Sequence, residues 1–457
     1  MIRRRATDAG VLPPPLAAGY LDGALGRMLL KPWFDQAALW YITTRYLPLS
    51  RAWAAATLAD GDPVRFQEEL GWRKPPKLRW RLALEEVARR RAAYDKVLLR
   101  WDAAFYAKTP PQPETLVDAE LTRQQLATYY ALSRAAFMGI NSRVEPLLWR
   151  VPEPEEVMQR HGQRLADPDG AYTPGPLPRV EVSHAVPSTL GREYFIRFPS
   201  PVLGDLARAR VLEPAPDAER TVIFLHGILM EEEMWPQRDD PSHALVREGV
   251  RVIRIEGPWH NRRCLPGICP ADPVIGRGPL GLIELFQAWL AEVAVVIAWA
   301  RGLGSTRVAT ASVSLGSLTN QLILSHSRHW PQACRPDAGL LIATSGELMN
   351  LAYRGALTRR LGLKRRMEQA GWREREVETW KPLLEPGDLP EELRGKVVMV
   401  LGQADVITPY TGGRRLARRW GVTGDKLHIY PRGHFSASLS VLVDSGPIDQ
   451  LKALLSD

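Results

Sequence analysis

Only three cysteines occur in 457 residues: Cys264, Cys269 and Cys334. An odd count without framework spacing excludes the disulfide-stapled secreted domains, although the short Cys264–Cys269 interval leaves a loop disulfide open. No second Cys or His pair follows at ligand spacing, so no metal site is expected. A compact basic stripe with interleaved aromatics is missing as well. Sixty Lys+Arg against fifty-one Asp+Glu leave a formal charge of +9 that is spread along the chain. This distribution argues against nucleic acid as a partner and leaves attraction to an anionic substrate or a membrane surface open. The first residues, MIRRRATDAGVLPPPLAAG, lack the apolar segment of a signal peptide. The most membrane-like run, residues 282–300, contains Glu284, Gln287 and Glu292 and leads directly into a turn and a strand. A buried helix between strands accounts for that run better than a membrane span. The expectation is a soluble, cytoplasmic protein, with peripheral membrane contact left open.

What the chain does have is length and apolar content. With 45% hydrophobic and 24% charged residues it can bury a large core, and its length points to two units. Thirty-eight prolines imply many firm loop ends, and fifteen tryptophans imply broad aromatic packing. Residues 1–175 read as a helical region and linker, and 176–457 as a second, catalytic domain. In the first, KLRWRLALEEVARRRAAYDKVLLRWDAAFYA (77–107) carries an amphipathic face of Leu82, Leu84, Val87, Tyr94, Val97, Leu98 and Trp101. Another helical pattern, from residue 32 to 61, is interrupted near Pro48, and no chemistry is evident in either. Residues 166–190, rich in Pro, Gly, Asp and Ser, read as linker.

From about residue 192 short apolar runs alternate with helical stretches, the pattern of parallel strands buried on both faces. The fold class expected is therefore α/β, a mostly parallel sheet with helices on both faces, preceded by an all-helical region. Chemistry in such sheets gathers at the carboxyl ends of the strands. Four strand ends carry pointed residues: His226-Gly227-Ile228, Ser312-Val313-Ser314-Leu315-Gly316, Gly402-Gln403-Ala404-Asp405 with Pro409 beyond, and Gly433-His434. A serine hydroxyl needs an adjacent base to become a nucleophile at neutral pH. An imidazole can take and return that proton, and a carboxylate can hold the imidazole tautomer and stabilise its cation. Ser314, His434 and Asp405 supply these three parts. Glu347, after the run GLLIATSG, competes with Asp405 for the acid role. His260 also follows a strand, but it precedes the serine.

The Ser, Asp, His order and the small-x-Ser-x-Gly elbow resemble the alpha/beta-hydrolases, and the resemblance covers about residues 192–457. It implies a Ser314–His434–Asp405 triad, an oxyanion hole made by the backbone N–H groups of Ile228 and Leu315, and no cofactor. It also implies a cap insertion at residues 348–394. Ser312 departs from the usual glycine of the elbow, and on this reading the position asks only for small volume. PSP at 199–201, GPWHNRR at 257–263 and the elbow are further similar to a poorly characterised, lipid-associated hydrolase subgroup. Trp259, Arg262 and Arg263 then become candidate substrate contacts, the arginines for an anionic group, with loop pinning as the alternative. The function read from the residues is cleavage of carboxylic esters, small-molecule or lipid-like, through an acyl-enzyme on Ser314. Acyl transfer by the same triad and a non-catalytic hydrolase-like binding module are the alternatives. Polyester synthases join helices to a similar fold but use cysteine at the elbow, where this chain has Ser314.

Overall fold

The apolar runs beyond residue 180 form one ten-stranded sheet. Its strands are β1 (Glu181–Val182), β2 (Val186–Ser188), β3 (Gly191–Pro199), β4 (Leu206–Glu213) and β5 (Arg220–Leu225). They continue with β6 (Val250–Ile255), β7 (Arg307–Val313), β8 (Ala338–Ile342), β9 (Val397–Gly402) and β10 (Leu427–Tyr430). The protein is seen in a computed structural model that describes residues 11–13, 26, 28, 30–140, 143–230 and 240–456. Across the sheet the order is β1-β3-β4-β6-β5-β7-β8-β9-β10, with β2 also paired to β3. Neighbours from β6 to β10 run parallel, whereas β4 is antiparallel to both β3 and β6.

Alternation along each strand distributes the core to two faces. Ile223, Leu225, Ile253 and Val308 pack beneath the long helix Pro279–Gly302 and the helix Leu315–His326. Their neighbours Val222, Val252, Ala309 and Val400 face the helices Pro241–Arg247 and Gly446–Ser456 on the other side. The 279–302 helix is apolar and long enough to cross a membrane, with a mean hydropathy of 1.8 over its most apolar window, yet 78% of that window is buried inside the fold. This matches the buried helix expected from its interrupting acidic residues.

Two sequence expectations need correction here. Residues 166–190 are not simply a linker, because β1 and β2 lie within them and extend the sheet past β3. These strands are two and three residues long with Val186 as their one fully buried side chain, so they leave no apolar alternation to read. The helical pattern around Pro48 does not break either. The helix Pro32–Tyr41 passes through a wide turn at Ile42–Tyr46 into the helix Leu47–Ala59. A proline lacks an N–H and crowds the carbonyl four residues back, and a wide turn just before it absorbs the mismatch. The hydroxyls of Thr43 and Thr44 donate to Leu39 O (2.9 Å) and Trp40 O (2.7 Å) in this turn.

The amino-terminal helices build their own core around Phe66, Trp80, Leu84, Val87 and Phe137. They dock on the sheet where Trp101, Phe105 and Leu116 enclose Phe195 of β3. Residues 1–10, which carry most of the amino-terminal stretch read for targeting, lie outside the described residues.

Candidate active site

Strand β7 ends at Val313, and the helix Leu315–His326 begins at once. Ser314 therefore forms the whole turn, at φ 54° and ψ −116°, a conformation that typically costs about 1–3 kcal/mol for a residue with a Cβ. Gly316 permits the tightness of the turn, since a Cβ there would lie 2.3 Å from Leu225 O and 2.7 Å from His226 O. Ser312 does more than stay small. Its hydroxyl donates to Leu340 O at 2.9 Å and accepts from Asn320 Nδ2 at 3.0 Å, with Ser317 Oγ 3.1 Å away, all buried. Volume alone is thus an incomplete account of this position. Ser312→Gly should preserve the turn but lower the unfolding free energy in urea by about 1 kcal/mol, because the Ser312 hydroxyl's bonds to Leu340 O and Asn320 are lost and Asn320 keeps only its longer contacts to Thr310 O and Leu340 O. Wild-type stability in that variant would show that the hydroxyl contributes nothing.

His434 stands at the start of the helix His434–Ser440, and its Nε2 lies 2.9 Å from Ser314 Oγ. On its other side Nδ1 is 2.8 Å from Asp405 Oδ2. Asp405 is fixed by the turn it begins: the N–H groups of Ile407 and Thr408 both donate to Oδ1 at 2.9 Å, and the Thr408 hydroxyl lies 2.7 Å from Oδ2. The same hydroxyl is 3.0 Å from Ala343 O and 3.1 Å from His434 Nδ1. Thr408 is thus a member of the cluster that sequence reasoning missed. Its place three residues after an acid in a turn, where a hydroxyl can fold back on the carboxylate, was the available signal. Glu347, the competing acid, is turned away from His434. It pairs with Arg415 through both oxygens and accepts from Asn350 at 3.2 Å, and the Arg415 guanidinium holds its carboxyl below the usual range.

The turn after β5 faces the serine. Gly227 comes so near that a Cβ on it would sit 3.4 Å from Ser314 Cβ, and Ile228 follows on the wall of the cavity beside Ser314. Leu315 is the first residue of its helix, so its N–H has no acceptor within the helix. Two buried histidines brace this region. His226 Nε2 accepts from Gly257 N–H at 2.9 Å while Nδ1–H donates to Gly227 O at 2.8 Å. His260 Nδ1–H donates to Pro258 O at 2.9 Å, and its Nε2 accepts from Leu229 N–H at 3.4 Å. These roles assign both rings as neutral Nδ1–H tautomers from the surrounding network. Burial pushes His226 down to about 4 and His260 to about 3, so both stay neutral near pH 7.

A cavity of about 90 Å³ opens beside Ser314. Ile228, Leu282, Leu318, Met349, Met367 and Leu384 are among its walls, and among the described residues no charged one lines it. Met349, Met367 and Leu384 come from the short helices between β8 and β9 that cover this end of the sheet. The three residues read as substrate contacts do not line it. Trp259 packs into the main core at 7% exposure. Arg263 is buried and donates to Asp205 (2.9 Å twice), Glu292 (2.7 Å twice) and Glu256 O (3.0 Å). Arg262 pairs with Glu256 at 2.5 Å and lies over the rings of Trp101 and Phe195. It borders a separate cavity against the amino-terminal helices. Neither arginine lines the cavity at the serine, and their carboxylate partners, Glu256 nearby in sequence and Asp205 and Glu292 farther off, favour the alternative of loop pinning. Cys264 and Cys269 are not joined by a disulfide.

Sheet order, the antiparallel second long strand and a serine elbow after β7 together define the alpha/beta-hydrolase fold. No protein-family model matches the sequence, and no curated protein matches it. Among solved structures, acetyl xylan esterase 1 from Thermoanaerobacterium sp. JW/SL YS485 aligns at 16% identity and a TM-score of 0.44. The alignment covers 64% of this chain and 92% of that one. An acetyl xylan esterase from Paenibacillus sp. R4 aligns at 12% identity and a TM-score of 0.41 over 64% of this chain and 96% of that one. A lipase in its open form aligns at 12% identity and a TM-score of 0.38 over 58% and 100%.

Proposed function

We propose that this protein is a serine hydrolase that cleaves esters of apolar carboxylic acids through an acyl-enzyme on Ser314. The observation that carries the reading is the unbroken line from Ser314 Oγ through His434 to Asp405, which meets an uncharged cavity at the serine. His434 Nε2 accepts the Ser314 proton as Oγ attacks the ester carbonyl. Asp405 stabilises the imidazolium that results and keeps the second ring proton on Nδ1. The oxyanion of the tetrahedral intermediate forms in front of the Ile228 and Leu315 N–H groups, one of which is typically worth about 2.7–4 kcal/mol of transition-state stabilisation. His434 then protonates the departing alcohol. Water, giving its proton to the same nitrogen, releases the acid in the second half. The scheme uses side chains and backbone alone.

The lining argues for an uncharged hydrocarbon on the acyl side, because burying a charge against those walls without a partner costs several kcal/mol. In a series of p-nitrophenyl esters, kcat/KM is expected to rise about fourfold per added methylene until the cavity is filled. A fluorophosphonate should label the wild-type chain on Ser314. No labelling, or an acetate ester preferred over every longer one, would overturn the reading.

A further inference from the structure

The helix Pro32–Tyr41 reaches across the fold to the segment that carries His434. Asp35, in its first turn, is 6% exposed. Its Oδ1 accepts from Phe435 N–H at 2.6 Å and Ser436 N–H at 3.1 Å, and its Oδ2 accepts from the Ser436 hydroxyl. Ser436 Oγ in turn accepts from Gly433 N–H at 3.0 Å. The helix His434–Ser440 has no capping side chain immediately before it, because that residue is Gly433. A carboxylate from 400 residues away supplies the acceptor that the residue directly before a helix usually supplies, and its charge suits the positive end of the helix. Gly433 is what admits it. A Cβ at that position would lie 2.3 Å from Asp35 Cγ, so the residue before His434 gives up its side chain to make room. The contact is reinforced one turn further along the same helix. Leu39 packs with Ile407 and Phe435, and Ile407 is one of the two residues whose N–H holds Asp405 Oδ1. One amino-terminal helix thus touches both the base loop and the acid turn.

We propose that Asp35 is a positioning residue that sets the ring of His434 between Ser314 and Asp405. The inference rests on the reading of Ser314 and His434 as the nucleophile and base. Without the carboxylate, the N–H groups of Phe435 and Ser436 turn toward water and the start of the helix loosens. His434 is the first residue of that helix, so its Nε2 moves relative to Ser314 Oγ. A displacement of this kind on the order of 1 Å can cost about 100-fold in rate.

The test uses the full-length chain and p-nitrophenyl octanoate. Asp35→Ala should lower kcat by about 100-fold with little change in KM, because the cavity walls are untouched. Asp35→Asn should recover most of the loss, since an amide oxygen can still accept from both N–H groups. The low-field proton resonance of His434 Nδ1–H should shift or broaden in the alanine variant and return in the asparagine one. Val87→Ala, in the separate core of the amino-terminal helices, serves as a control for general destabilisation and should retain wild-type kcat. Wild-type kcat in Asp35→Ala, or an equal loss in Val87→Ala, would overturn the inference. Failure of the wild-type chain to react with a fluorophosphonate would sink the hydrolase reading instead. The His434 resonance would still tell whether Asp35 holds the ring.

Discussion

Ser314→Ala is expected to lower kcat for an ester by about 10⁶-fold and to abolish fluorophosphonate labelling, while the melting temperature stays close to that of the wild type. The loss is large because the neighbouring hydroxyls among the described residues are committed elsewhere: Ser312 and Ser317 are bonded to the backbone of β8, and Thr358 and Thr408 on the cavity wall donate to Leu351 O and Ala343 O. Stability should hold because the Ser314 backbone, through its N–H to Ile342 O at 2.9 Å and its carbonyl to Leu318 N–H at 3.0 Å, keeps its bonds in the variant. Turnover within a few-fold of the wild type, with the fold intact by circular dichroism, would remove Ser314 from the mechanism.

Asp405→Asn should be the next most damaging change, at about 10⁴-fold in kcat. The reason lies in which oxygen is committed. Oδ1 is held by the Ile407 and Thr408 N–H groups, so an asparagine keeps its carbonyl there and turns its NH₂ toward His434. Nδ1 must then become the acceptor, the ring proton moves to Nε2, and the base can no longer receive a proton from Ser314. Glu347→Gln, by contrast, should change kcat by no more than about twofold, as expected for a partly exposed ion pair away from the chemistry. Measured kcat values for the two variants with the same ester decide between the acids. A crippling Glu347→Gln would reverse the assignment.

The sheet was readable because parallel strands buried on both faces leave continuous apolar runs such as VVMVL and GLLI. The order Ser, Asp, His is readable because each residue lies within four positions of a strand's carboxyl end. Where the reading stops, the cause is contact that only the fold brings about. Arg262 and Arg263 looked like ligands for an external anion, yet Glu256, Asp205 and Glu292 already occupy them. Ser312 looked like a requirement for small volume because the Asn320 amide is brought to it only by the helix folding back on β7. Asp35 gave no local sign at all. Its role exists only through residues 435 and 436, and the glycine that admits it is easily taken for ordinary loop composition. Strands β1 and β2 read as linker because they are only two and three residues long, with Val186 as their one fully buried side chain, too few positions for an apolar alternation.

The uncharged lining also bears on how a turnover would end. Deacylation creates a carboxylic acid at the mouth of the cavity, and near neutral pH that acid ionises as it leaves His434. An ester chain loses nothing by resting against Leu282, Met349 and Leu384, but the carboxylate at its head would find no cation among the described residues of these walls to replace its hydration. On the proposed reaction the pocket should therefore hold the ester more firmly than the carboxylate. Release would then follow from the chemistry itself, and the free acid should be a poor inhibitor of the proposed hydrolysis.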